Sequence, residues 1–259
     1  MPSLALAVAS ILLAFSSIAT AACRDNPAAL GTARTLTIDP AKVQRVGTMQ
    51  YRQTLPLSDH EIVLTFDDGP LSPYTARVLD LLSSQCVQAT FFDVGRMATT
   101  YPWLVRREYD EGHSVGTHTQ NHPLRTRSDA ELERDIEDGV NSLQRILGRD
   151  ELAPFFRFPG LIHPAAVEDD LASQGIVVWS ADIVGDDWKR ISAHEIVRRT
   201  MARLQQKKRG IVLLHDIHRR TLLALPELFA RLKERGYRVV HVITSALATA
   251  PQAWSSAVP

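Results

Sequence analysis

The chain has 259 residues, 45% hydrophobic and 22% charged, and carries no formal net charge. This is the profile of an ordinary folded globule, long enough for one large α/β domain or barrel. The neutral balance speaks against a nucleic-acid partner or an anionic membrane surface, both of which favour a basic excess.

Residues 3–22 contain no charge, and the apolar stretch around Ile11–Phe15 runs into small residues. Ala19-Thr20-Ala21 has the A-x-A form of a cleavage site, so residues 1–22 read as a secretory signal peptide, although no Lys or Arg precedes the apolar stretch. The expected location is secreted or periplasmic, with no stable membrane insertion after cleavage. A retained anchor is the alternative, and a lipid anchor on Cys23 is another. Cys23 and Cys86 are the two cysteines, and export would permit one disulfide between them.

Residues 23–60 show little periodicity and read as an N-terminal extension. From Glu61 to residue 245 short apolar runs alternate with amphipathic segments. The predicted strands are 61–66, 88–94, 113–117, 154–158, 176–181, 210–215 and 237–242. The predicted helices are 73–85, 101–111, 129–147, 164–174, 192–208 and 221–235. The 129–147 segment is the clearest: Ser128 and Glu131 form a capping box, and Leu132, Ile136, Val140, Leu143 and Leu147 make one stripe. Such alternation predicts a single α/β domain with a parallel sheet and crossover helices, either a closed β/α barrel or an open doubly wound sheet. Residues 246–259 read as a C-terminal tail.

Ionisable residues fall at the predicted C-terminal strand ends, where parallel β/α folds build active sites. Asp67 and Asp68 follow the first strand, His118 the third and Asp182 the fifth, while Arg157 and His215 close the fourth and sixth. Adjacent carboxylates disfavour joint ionisation unless a cation relieves them. His118 and His122, four residues apart, would share a face on a helical turn and complete with Asp68 a one-Asp, two-His metal set with open positions. Zinc suits that set; cobalt, nickel or manganese would also fit. Asp67, pointing the other way, is then the base, and Arg157, a charge inside the apolar run FFRFP, is its partner. His215 is a candidate acid for a leaving amine, with Asp182, Asp186 and Asp187 available to orient it.

The motifs TFDDGP at 65–70, HTQNH at 118–122, RFPG at 157–160, DDW at 186–188 and LLH at 213–215 occur in that order. Together they resemble the five motifs of the polysaccharide deacetylase family, over roughly residues 60–243. The resemblance implies a distorted seven-stranded β/α barrel and metal-dependent removal of acetyl groups from N-acetylated amino-sugar polysaccharides or oligosaccharides. It implies a catalytic set of Asp67, His215, Arg157 and Asp187, one divalent ion on Asp68, His118 and His122, and a carbohydrate substrate held by Pro159, Gly160, Trp188 and Leu213. His113 matches a flanking structural position. The third motif departs from the family pattern, which ends in Pro-Tyr where this chain has Pro159-Gly160. Glycine keeps the backbone N–H that would face an oxyanion and loses the ring, so a wider groove is expected there. The alternatives to N-deacetylation are an O-acetyl polysaccharide esterase and a non-catalytic carbohydrate-binding protein of the same fold.

Overall fold

The computed structural model describes Asn26 and residues 28–125 and 128–245. The expected signal segment 1–22, Cys23 and the tail 246–259 lie outside the described residues. Cys86 is disulfide-bonded.

The barrel ring consists of β3 (Glu61–Asp67), β4 (Thr90–Asp93), β5 (Ser114–Thr117), β6 (Phe155–Phe156), β7 (Val177–Trp179), β8 (Ile183–Val184) and β9 (Gly210–His215). β3 pairs with β4 on one flank and with β9 over residues 62–67 on the other. Parallel pairings continue from β4 through β5 and β6 to β7, and β8 pairs with β9. The ring is distorted at the step from β7 to β8, where β2 (Arg45–Val46) lies against β7 instead. β10 (Arg238–Thr244) stands outside the ring. It pairs with β1 (Thr32–Ile38) and meets only the first two residues of β3.

The distorted seven-stranded barrel expected from the motifs is therefore present, but one of its strands differs from the sequence reading. The segment 237–242 is not the seventh ring strand; β8 is. Two residues are too few to display a period, which is why pattern reading passes over β8. The N-terminal extension contributes β1 and β2 to the sheet, so it is built into the fold.

Strand β3 shows how the core positions the site. All seven of its residues are buried. Ile62, Leu64 and Phe66 face outward to Val78, Leu79, Leu82, Leu225 and Leu228 of the covering helices. Val63 faces inward to Phe92, Phe155, Trp179 and Ile211. Alternation then places Thr65 and Asp67 on the inward side as well. The six predicted helices form at Tyr74–Ser84, Pro102–Asp110, Asp129–Leu147, Ala165–Ser173, Ala193–Lys207 and Arg219–Glu234, joined by a short one at Gly95–Thr100. Ser128 and Ser192 accept the N–H groups of Glu131 and Glu195, as the capping pattern requires.

Candidate active site

Asp67 ends β3 on the inward side, buried against Arg157. The guanidinium donates from Nη1 to Asp67 Oδ1 at 2.5 Å and to Thr65 Oγ1 at 2.7 Å, and from Nη2 to the Ser180 carbonyl at 2.9 Å. Its carbon lies 4.2 Å above the centre of the Phe92 ring. Burial pulls the Arg157 pKa down, and Asp67 opposes that pull. A charge with no exposed surface is tolerated here because fixed partners surround it.

Asp68 has a left-handed backbone, φ 73°. That turn breaks the strand and swings its carboxylate away from Asp67. Asp68 Oδ1 lies 3.3 Å from His118 Nε2 and 3.0 Å from His122 Nε2. Ligand atoms from the three residues lie within 4.8 Å of one another, the one such group among the described residues. Burial opposes ionisation of Asp68, but the two imidazoles outweigh it and hold the carboxyl well below its usual range.

The two histidines do not share a helical face. Residues 118–122 form a loop with left-handed Thr119 (φ 66°) and His122 (φ 57°). Non-glycine residues seldom adopt that conformation, and here the neighbours enforce it. The Asp135 carboxylate accepts from the backbone N–H groups of Gln120 and Asn121 and from the Asn121 side chain. Gly139, on the same helix as Asp135, lets the loop approach: a Cβ there would meet the Thr119 carbonyl carbon at 2.6 Å. His118 Nδ1–H donates to the Arg157 carbonyl at 2.6 Å, which orients the ring with Nε2 toward Asp68.

His215 ends β9, in register with Asp67 on the neighbouring strand. Its Nδ1–H donates to Asp187 Oδ1 at 2.8 Å, and its backbone N–H to Asp187 Oδ2 at 2.7 Å. Thr221 Oγ1 also donates to Asp187 Oδ2, at 2.6 Å. Burial lowers the His215 pKa, but Asp187 outweighs it and raises the ring to about 9. His215 Nε2 lies 3.9 Å from Asp68 Oδ2. The choice among three aspartates is thus resolved by contact. Asp186 pairs with Lys189, Arg199 and Arg203. Asp182 accepts from Thr48, Thr54 and the Ile211 N–H, and so pins the N-terminal extension to the barrel.

The geometry has counterparts among known proteins. Residues 55–179 match the family model described as polysaccharide deacetylase. A peptidoglycan-N-acetylglucosamine deacetylase of Bacillus cereus is 37% identical over 194 residues, which cover 73% of this chain and 89% of that protein. The chain belongs to the polysaccharide deacetylase family. The peptidoglycan-N-acetylmuramic acid deacetylase PdaC of Bacillus subtilis is 34% identical over 196 residues, but the match spans only 39% of its length. In structure the chain resembles Bdellovibrio bacteriovorus peptidoglycan deacetylase Bd3279, with a TM-score of 0.74 and 29% identity over 82% of this chain and 59% of that one.

The remaining family positions differ in exposure. Trp188 is 44% exposed, its ring centre 5.6 Å from that of His215. Leu213 is buried on β9, two residues before His215, and Pro159 is buried beside Arg157. His113 is buried and accepts the Ala89 N–H, in keeping with a structural position. Gly160 departs from expectation. It is left-handed, φ 59°, and the space over it is not an open gap: a Cβ there would meet Leu124 Cδ2 at 3.2 Å. Sequence reasoning missed Thr65, Asp135, Thr221 and the Ser180 carbonyl. Thr65 lies in the first motif, but its role, like those of the other three, depends on a partner elsewhere in the chain.

Proposed function

We propose that this deacetylase is a metal-dependent hydrolase that releases acetate from N-acetylated amino sugars of the peptidoglycan type, in the periplasm or outside the cell. The observation that carries the reading is the pairing of two separate carboxylates. Asp67 is locked to Arg157, while Asp68 faces two imidazoles, with the His215–Asp187 pair opposite. The cation fit rests on Asp68 Oδ1, a buried oxygen that accepts no hydrogen bond while two imidazole nitrogens approach it. Asp68, His118 and His122 would hold the ion, and zinc suits one carboxylate and two imidazoles. Such an ion polarises an acetyl carbonyl and acidifies an attacking water.

The chain's own groups supply the rest. Asp67 takes the proton of the attacking water, and Arg157 keeps that carboxylate in place. His215, held protonated by Asp187, gives a proton to the departing amine. The Gly160 N–H stabilises the developing oxyanion. Trp188 walls the groove, and Leu213 receives the acetyl methyl. An intact acid, base and ligand set argues against a binding protein without turnover.

The test is acetate release from peptidoglycan, chitooligosaccharides and acetyl-xylan, with and without chelator. The expected result is release from the first two, abolished by chelation and restored by zinc or cobalt. Full activity in protein shown to be metal-free would overturn the mechanism. Release from acetyl-xylan alone would favour the O-acetyl esterase.

A further inference from the structure

The side of the groove next to His122 is built unlike the side next to His215. Trp188 supplies a flat aromatic face on one side. On the other, Leu124 and Ile162 stand 55% and 48% exposed. They converge on Gly160, where a Cβ would meet Leu124 Cδ2 at 3.2 Å and Ile162 Cγ1 at 3.9 Å. Arg125, itself exposed, lines the same hollow together with Pro123 and Pro159. The hollow adjoins the third motif, since Pro159 lines it and Leu124 lies over Gly160. Its far edge is held from the N-terminal extension, where the Gln50 side-chain amide donates to the Leu161 carbonyl and Leu161 is itself left-handed, φ 57°.

Two exposed aliphatic side chains do not offer the flat face on which an unsubstituted sugar ring stacks. They suit a small branched group, and a guanidinium beside them suits an attached carboxylate or carbonyl oxygen. The lactyl ether of an N-acetylmuramic acid ring carries both, a methyl and a carboxyl on one carbon. We infer that Leu124, Ile162 and Arg125 form a subsite for that lactyl group, which makes this wall a determinant of preference for peptidoglycan strands over plain chitooligosaccharides. The inference rests on the deacetylase reading and adds the identity of the ring bound beside the metal centre.

The test compares acetate release from glycan-strand oligosaccharides bearing lactyl groups with release from chitooligosaccharides of equal length, using zinc-loaded enzyme. Replacing Leu124 and Ile162 together by Ala should lower the ratio of the two kcat/KM values by about fourfold, the scale of losing a buried methyl contact. Arg125→Gln should lower the ratio for the free lactyl acid and have a smaller effect on its methyl ester. Thermal melts and zinc content establish that each variant is folded and loaded. Ratios equal to wild type in both variants would overturn the subsite. Wild-type enzyme that releases acetate from neither substrate would instead refute the deacetylase reading. In that case, fluorescence titration with the same two oligosaccharides still decides the subsite: the double variant either weakens binding of the lactyl-bearing strand selectively, which supports it, or does not, which overturns it.

Discussion

At Asp68 the backbone turns left-handed, so two adjacent carboxylates that would crowd one another at a strand end face different partners. Asp67→Asn should therefore lower activity by ~10²–10⁴, the usual worth of a placed base, and leave bound metal nearly unchanged. Asp68→Asn should empty the site, and metal analysis beside acetate release separates the two effects. Full zinc in Asp68→Asn with none in Asp67→Asn would reverse the assignment. His215 gives a pH prediction. Its folded pKa, about 9, lies above the ordinary 6.5 because Asp187 outweighs burial. The proton is thus held through neutrality and lost as pH rises through about 9. The stabilisation it brings follows the same course, complete below about 6.5 and gone above about 9. Asp187→Asn removes the cause, so the alkaline limb of kcat against pH should move to lower pH. A limb that stays in place would remove Asp187 from this role.

Among the elements, the helix Asp129–Leu147 serves both the fold and the site. Its buried Leu132 and Ile136 pack on Phe156, Phe158 and Val178. Asp135 on the same helix holds the loop that carries both histidines. Ser128→Ala should cost about 1 kcal/mol in denaturant unfolding, as lost N-caps do, with metal affinity little changed. Gly139→Ala should do the opposite. Alanine favours the helix, but its Cβ would press on Thr119, 2.6 Å away, and displace the histidine loop. Zinc affinity should fall more than stability, as read by competition with a chelating dye. Unaltered affinity would show that the loop tolerates the push.

At the scale of the whole molecule, Asp93, Glu108 and Asp216 are buried acids that the proposed chemistry does not use and whose ionisation burial opposes. Burial raises Asp93 to about 7, Asp216 to about 8 and Glu108 well above its ordinary value. Asp93 and Glu108 face one another, and the charge and hydrogen bond of Asp93 push Glu108 higher still. For an acid whose folded pKa is raised, the sign is the reverse of the usual carboxylate case. The unfolded chain ionises first, so the stability these groups allow is complete below about pH 4 and is lost as pH rises toward 8. Glu108→Gln keeps the shape and cannot ionise. It should raise the melting temperature at pH 8 by a few degrees relative to wild type, and by less at pH 5. Equal shifts at both pH values would mean that Glu108 is not the titrating group.

Six helices, the two serine N-caps and six of the seven ring strands are legible in the chain, because periodicity and capping are local properties. So are the order of the motifs and the separate partners of two adjacent carboxylates, Arg157 for Asp67 and two imidazoles for Asp68. The tertiary structure decided what depends on distant partners. It chose Asp187 for His215 by contact, since Asp182 was taken by Thr48 and Thr54, and Asp186 by Arg199 and Arg203. It set His118 and His122 in a strained loop, because Asp135 and Gly139 of a later helix enforce turns that residue spacing does not encode. It placed Leu124 over Gly160, where sequence reasoning foresaw a gap. Sequence names the residue that lacks a side chain, but only the packed fold determines which neighbour occupies the space.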